Sequence, residues 1–156
     1  MYRRSLTSEL ESLASSYPVV TVMGPRQSGK TTLVKHTFPD KPYANLEALD
    51  MQELAQADPK GFLAQYPDGV ILGEIQRVPA LLSYIQVIVD VKPKKGMFVL
   101  TGSHQLELHQ AITQSLAGRT ALLNLLPMSL AELTAAGIEI SLDEALLMGG
   151  LSTNLQ

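Results

Sequence analysis

Residues 24 to 32 read GPRQSGKTT, a stretch with the spacing G-x-x-x-x-G-K-[ST]. Two glycines let the backbone wrap closely around an anion and turn successive N–H groups inward. A helix that starts inside the stretch would aim its positive end at the same point. Lys30 adds a point charge suited to the β and γ phosphates of a nucleotide. Thr31 places a hydroxyl where Mg²⁺ would sit, and Thr32 can reach a neighbouring phosphate oxygen. The candidate nucleotide-binding residues are therefore Gly24, Pro25, Arg26, Gln27, Ser28, Gly29, Lys30, Thr31 and Thr32. The plain alternative is a glycine-rich turn whose lysine is merely exposed.

Three further side chains could act on a bound triphosphate. Glu74 closes the expected strand of residues 69–73 in GVILGEIQRVPALL, where a carboxylate could accept a proton from attacking water or contact a metal. Ser103 closes GMFVLTGS, residues 96–103, where a hydroxyl could hold that water or the γ phosphate. Arg119, in SLAGRT, is long enough to serve as an arginine finger, in its own subunit or across an interface. Each also has a bland reading. Glu74 could be an exposed acid capping a turn, Ser103 simple turn chemistry, and Arg119 a surface residue paired with a carboxylate.

The elements that must position these residues follow from periodicity. Leu6, Leu10, Leu13 and Ala14 recur with helical spacing, so the first segment reads as an amphipathic helix ending near Ser16. YPVVTVM, residues 17–23, is short and β-branched and suits a central parallel strand. Lys30 to Thr37 reads as helix, stopped by Phe38-Pro39. Residues 42–47, PYANLE, form a weaker strand candidate. Two short helices are expected next, one opening at Asp50 with Glu53 three residues on, the other at Asp58 with Pro59 in its first turn. After the strand GVILGE, Leu81, Ile85 and Ile88 mark a helical face, with Leu82 and Val89 beside it. The strand of residues 96–103 comes next, then a polar helix or loop, then TALLNLL at 120–126. Ser129 with Glu132, and Ser141 with Glu144, form two capping boxes opening the last helices, and Gly149-Gly150 closes the second. Strands alternating with helices predict an α/β fold, a mainly parallel five-stranded sheet between helix layers, in which the strand tips line one crevice.

Composition narrows the class. A chain of 156 residues suffices for one domain with a real core. With three Phe, five Tyr and no Trp, that core must be largely aliphatic. A net charge of −3 gives no overall attraction to polyanions, and Lys92, Lys94 and Lys95 in VKPKKG read as a solvated loop, with nucleic-acid contact as the alternative. There is no cysteine, so metal binding would fall to oxygen or histidine, and a reducing, cytoplasmic setting fits. Glu9 and Glu11 interrupt any secretory apolar stretch, and no run reaches membrane-spanning length.

Taken in order, YPVVTVMGPRQSGKTTL, YANLE, DPKGFL, ILGEIQRVPALLSYI, FVLTGS and SLAGRTALLNLLPMSLAEL resemble the ATP-binding domain of the prokaryotic AAA-type ATPases that carry a C-terminal domain of unknown function. The resemblance implies a three-layer P-loop NTPase core of the ASCE type that binds ATP with Mg²⁺. By that pattern Lys30 and Thr31 belong to Walker A and Glu74 to Walker B, Ser103 is the sensor and Arg119 the finger candidate. Two departures stand out. The family's usual Asp-Glu pair is Gly73-Glu74 here, and residues 1–156 read as this domain alone, apparently lacking the C-terminal one. The missing aspartate would hold Mg²⁺ opposite Thr31. A unit-charge contact at about 4 Å and an effective dielectric near 20 is worth on the order of 4 kcal/mol, so metal placement should suffer more than nucleotide binding. The expected metal contacts reduce to Thr31 and Glu74, a weakened site.

The function expected is an ATP-binding AAA-type domain with impaired hydrolysis. The alternatives are a non-hydrolysing, nucleotide-dependent interaction module and a P-loop kinase, which the lack of an arginine-rich lid disfavours. A homo-oligomer or a protein partner is compatible with the sequence, and a membrane is not expected.

Overall fold

The computed structural model describes residues 2–25 and 29–125. Helix α1 (Tyr2–Ala14) leads into strand β1 (Val19–Met23) and helix α2 (Lys30–Thr37). Strand β2 (Tyr43–Asn45) is followed by α3 (Leu49–Ala57) and α4 (Pro59–Ala64), then β3 (Val70–Gly73) and a 3₁₀ turn, Ile75–Arg77. The chain continues through α5 (Leu81–Val91), β4 (Phe98–Gly102), α6 (Leu106–Leu116) and β5 (Thr120–Asn124). The expected capping boxes at Ser129 and Ser141 and the Gly149-Gly150 stop lie outside the described residues.

The sheet order is β2-β3-β4-β1-β5, and every neighbouring pair is parallel. β1, β3 and β4 are buried along their whole length, which is why they read as near-continuous apolar runs. Within each, alternation still decides the face. Val19, Met23, Val70, Leu72, Phe98 and Leu100 pack with Leu81, Leu82, Ile85, Ile112 and Leu116 of α5 and α6. Val20, Val22, Ile71, Val99 and Leu123 pack with Leu6 and Leu10 of α1 and Leu33 and Val34 of α2. The result is the expected α/β architecture, a parallel five-stranded sheet between two helix layers. The stretch left open as helix or loop is α6, with Leu108, Ile112 and Leu116 buried at helical spacing. Among the described residues no helix is long and apolar enough to cross a membrane.

One boundary departs from expectation. α3 begins at Leu49, with Ala48 in the capping position and no side-chain cap, so Asp50 and Glu53 form no capping box. The turn before it is closed by Asn45: its Oδ1 accepts the Glu47 N–H at 3.0 Å, and its backbone O accepts the Ala48 N–H at 3.2 Å. The chain enters the helix early, and Asp50 becomes a first-turn acid, which the positive helix end favours. Asp58 does behave as expected, accepting the Gly61 N–H on Oδ1 at 3.0 Å with Pro59 behind it. The loop lysines are tied to the surface, Lys94 to Asp68 at 3.2 Å and Lys95 to Ser16 O at 3.0 Å.

Asp58→Ala should lower stability by about 1 kcal/mol, because the first turn of α4 loses its acceptor. Urea denaturation would show it as a lower midpoint with an unchanged slope.

Candidate functional site

Parallel pairing sets all five strands to end at one edge, and the candidate residues gather there. β1 ends at Met23, and Gly24 N–H donates to Gly102 O at 3.1 Å, joining the start of the phosphate loop to the tip of β4. Gly29 is left-handed, with φ 85°, and precedes α2 without a side-chain cap. Glycine adopts that conformation at no steric cost, and the first N–H groups of α2 are left for an anion rather than a side chain. Thr31 is half-buried and Thr32 exposed on the first turn of α2. Arg26, Gln27 and Ser28 lie outside the described residues.

Lys30 is buried, 5% exposed, at the mouth of the loop. Its Nζ lies 3.5 Å from Glu74 Oε2 and donates to Pro25 O at 3.4 Å. Glu74 sits just past β3 with φ 60°, the one left-handed non-glycine among the described residues. That backbone is costly for a side-chain-bearing residue and persists only where the surroundings hold it. Its N–H donates to Thr101 Oγ1 at 3.1 Å, and its Oε1 accepts from Gln76 Nε2 at 2.8 Å. Gln76 Oε1 in turn accepts the Ser103 N–H at 3.2 Å. One amide thus links the Glu74 carboxylate to the Ser103 backbone, and the sequence reading missed Gln76 because nothing in its spacing marks it.

Two buried polar atoms at this edge have no partner: Ser103 Oγ beyond β4 and Asn124 Oδ1 at the end of β5. These strands flank β1 on either side. A buried polar atom left unpaired costs about 1–3 kcal/mol, so two of them astride the phosphate loop fit a crevice that a polar ligand completes. Asn124 was also missed; its only sequence signal is a polar residue ending an apolar strand.

Thr31 is engaged from the other side. Its hydroxyl hydrogen-bonds the Tyr43 side chain. Burial pushes the Tyr43 phenol above its ordinary pKa, the Thr31 hydrogen bond draws it down, and the charges of Glu74 and Glu47 raise it. Tyr43 is therefore a neutral phenol at physiological pH. Lys35 lies over its ring, 4.5 Å from the centroid. A Cβ placed on Gly73 would lie 2.5 Å from Tyr43 Oη.

As placed here, these residues offer Mg²⁺ few free oxygens. The cation ordinarily takes one or two carboxylates in addition to phosphate oxygens. Here the Thr31 hydroxyl is paired with a phenol, position 73 offers no side chain, and Glu74 is held between Lys30 and Gln76. Among the described residues no cluster of three His, Cys, Asp or Glu side chains could hold a metal.

The structure does not bring Arg119 to this edge. Arg119 immediately precedes β5, so it lies at the amino end of the sheet, about 16 Å from the strand tips at roughly 3.3 Å per residue. Its guanidinium grips Asp90 at the end of α5, with Nε–Oδ1 2.6 Å and Nη2–Oδ2 2.9 Å. That bidentate pairing holds the Asp90 carboxyl below its usual range.

A family model described as an AAA domain matches residues 16–134. The uncharacterised proteins Mb2031c of Mycobacterium bovis and Rv2008c of Mycobacterium tuberculosis are each 30% identical over 150 residues, covering 96% of this chain. The chain spans about a third, 33%, of the length of either curated relative. The solved structure of the Walker-type ATPase PABY2304 of Pyrococcus abyssi superposes with a TM-score of 0.55 at 16% identity, over 90% of this chain and 61% of that one.

Gln76→Ala should destabilise the fold by about 1–2 kcal/mol in denaturant titration, since it strands both the Ser103 N–H and a lone pair of Glu74. Arg119→Ala should leave the nucleotide affinity of the isolated chain within about twofold of the natural value, because an exposed charge beyond a Debye length is screened from the cradle.

Proposed function

The chain belongs to the AAA domain family and shares the fold of a Walker-type ATPase, and from that premise we propose that it binds ATP by its triphosphate in the loop of residues 24–32 and turns it over poorly. The observation that carries the proposal is the neck of the site, where Lys30 is buried against Glu74 beneath the uncapped start of α2. A lysine is rarely so buried without a compensating partner. Incoming phosphates would compete with Glu74 for Lys30, which both binds the nucleotide and frees the carboxylate toward the crevice. Ser103 Oγ, unpaired and buried, supports a ligand oxygen at the same place.

Impaired turnover rests on the metal side. Holding a cation against the leaving phosphate and a proton acceptor against water requires two separate groups. This chain offers Glu74 and a glycine before it. If Glu74 turned to the cation, it would become a poorer base. The same geometry favours a second reading, a domain in which nucleotide is held and not cleaved and its occupancy orders a partner surface. A cytoplasmic setting, where ATP is abundant, belongs to the proposal, and adenine rather than guanine follows from the family.

Titration with a fluorescent ATP analogue tests the first claim. Lys30→Ala should weaken binding by about tenfold or more, the scale of one charge-assisted contact. A folded sample with no affinity at millimolar ATP, or a Lys30→Ala variant with unchanged affinity, would refute the cradle. Phosphate release measured on the same sample separates the two readings: slow, Lys30-dependent release marks a weakened ATPase, and none at all marks the holding module.

A further inference from the structure

Nothing in the backbone requires glycine at position 73. It lies in regular strand, and its φ is not among the positive values that favour glycine. The constraint comes from the neighbouring strand. Tyr43 pairs with Ile71 and Asn45 with Gly73, so Tyr43 and the vacant side of Gly73 both face α2. The Tyr43 ring runs toward the carboxyl edge. Its Oη, Cε1 and Cζ would lie 2.5, 3.1 and 3.1 Å from a Cβ at position 73. Two residues one turn apart on α2 fix the ring, Lys35 over its face and Thr31 at its hydroxyl. The space a side chain from position 73 would enter is thus filled by a phenol in contact with Thr31.

Tyr43 Oη reaches the Thr31 hydroxyl and lies where a side chain at position 73 would begin. A phenol hydroxyl can accept one hydrogen bond and still give its own O–H to an anion. That O–H lies at the start of α2, beside the hydroxyl that would otherwise meet a cation. We infer that Tyr43 is a specificity-determining residue that stands in for the divalent cation, donating to a phosphate oxygen so that the cradle takes metal-free nucleoside triphosphate about as readily as its Mg²⁺ complex. The inference deepens the proposed ATP site and rests on it.

The test is a set of ATP titrations of the full chain, in Mg²⁺ and in EDTA. The natural chain should show affinities within about threefold of each other. Tyr43→Phe keeps the ring and its Lys35 contact and removes the hydroxyl, both the donor and the partner of Thr31. Its EDTA affinity should fall about tenfold, the scale of one hydrogen bond to a charged group, with a smaller loss in Mg²⁺. Tyr43→Ala combined with Gly73→Asp should make binding cation-dependent, by about tenfold or more on the same scale. A natural chain that needs Mg²⁺ by tenfold, or a Tyr43→Phe variant with an unchanged Mg²⁺-to-EDTA ratio, overturns this inference and leaves the cradle standing. No binding in either buffer overturns both. A nucleotide-free arm reads the steric half directly. Gly73→Ala should lower the melting temperature of the natural chain and do so much less in the Tyr43→Ala background; equal losses in both would show that Tyr43 does not fill the space.

Discussion

In a parallel sheet every strand points its carboxyl end the same way, and crossover helices return the chain over the faces, leaving the tips as the one place where polar side chains can meet without disturbing the ladder. The order β2-β3-β4-β1-β5 puts β4 between the strand that leads into the phosphate loop and the strand that ends in Glu74. The register then levels them. Val19 and Val70 both lie opposite Phe98, so β1 and β3 finish at nearly the same height, and Gly24, Glu74 and Ser103 follow their strands onto one shelf. The Gly24–Gly102 hydrogen bond and the Thr101–Glu74 hydrogen bond fasten that shelf on both sides of β4.

On this shelf the Lys30–Glu74 contact has a double character. Removing two charges from water is expensive, and their attraction offsets that only where further hydrogen bonds complete both groups. Gln76 and Pro25 O supply those bonds, so the pair is tolerated rather than strongly stabilising. A polyanion arriving at the loop meets a lysine already held in place, with little side-chain entropy left to lose.

Much of this was legible in the amino-acid order. The buried strands announced themselves as unbroken apolar runs, and the loop between β1 and α2 by its glycines and lysine. The Asp58 cap was readable because its partner is three residues away. What escaped depended on distant neighbours. Tyr43 looked like an ordinary residue in a weak strand, since its contacts with Thr31, Lys35 and Gly73 exist only once β2 lies beside β3 and under α2. Asp50 looked like a cap because the competing turn at Asn45, closed by its own side-chain oxygen on the Glu47 N–H, went unread. Arg119 held a clue that went unused: a residue just before a parallel strand belongs to the opposite edge from residues just after one.

The pair Gly73-Glu74 inverts what stereochemistry alone would choose. The first residue occupies regular strand backbone, where any amino acid is at ease, yet has no side chain; the second occupies the conformation that suits glycine, yet carries a carboxylate. Exchanging Glu74 for glycine would relax the main chain while erasing the acid that faces Lys30. At this position a relaxed main chain and a charged lip on the crevice are opposing demands, and the chain carries the acid.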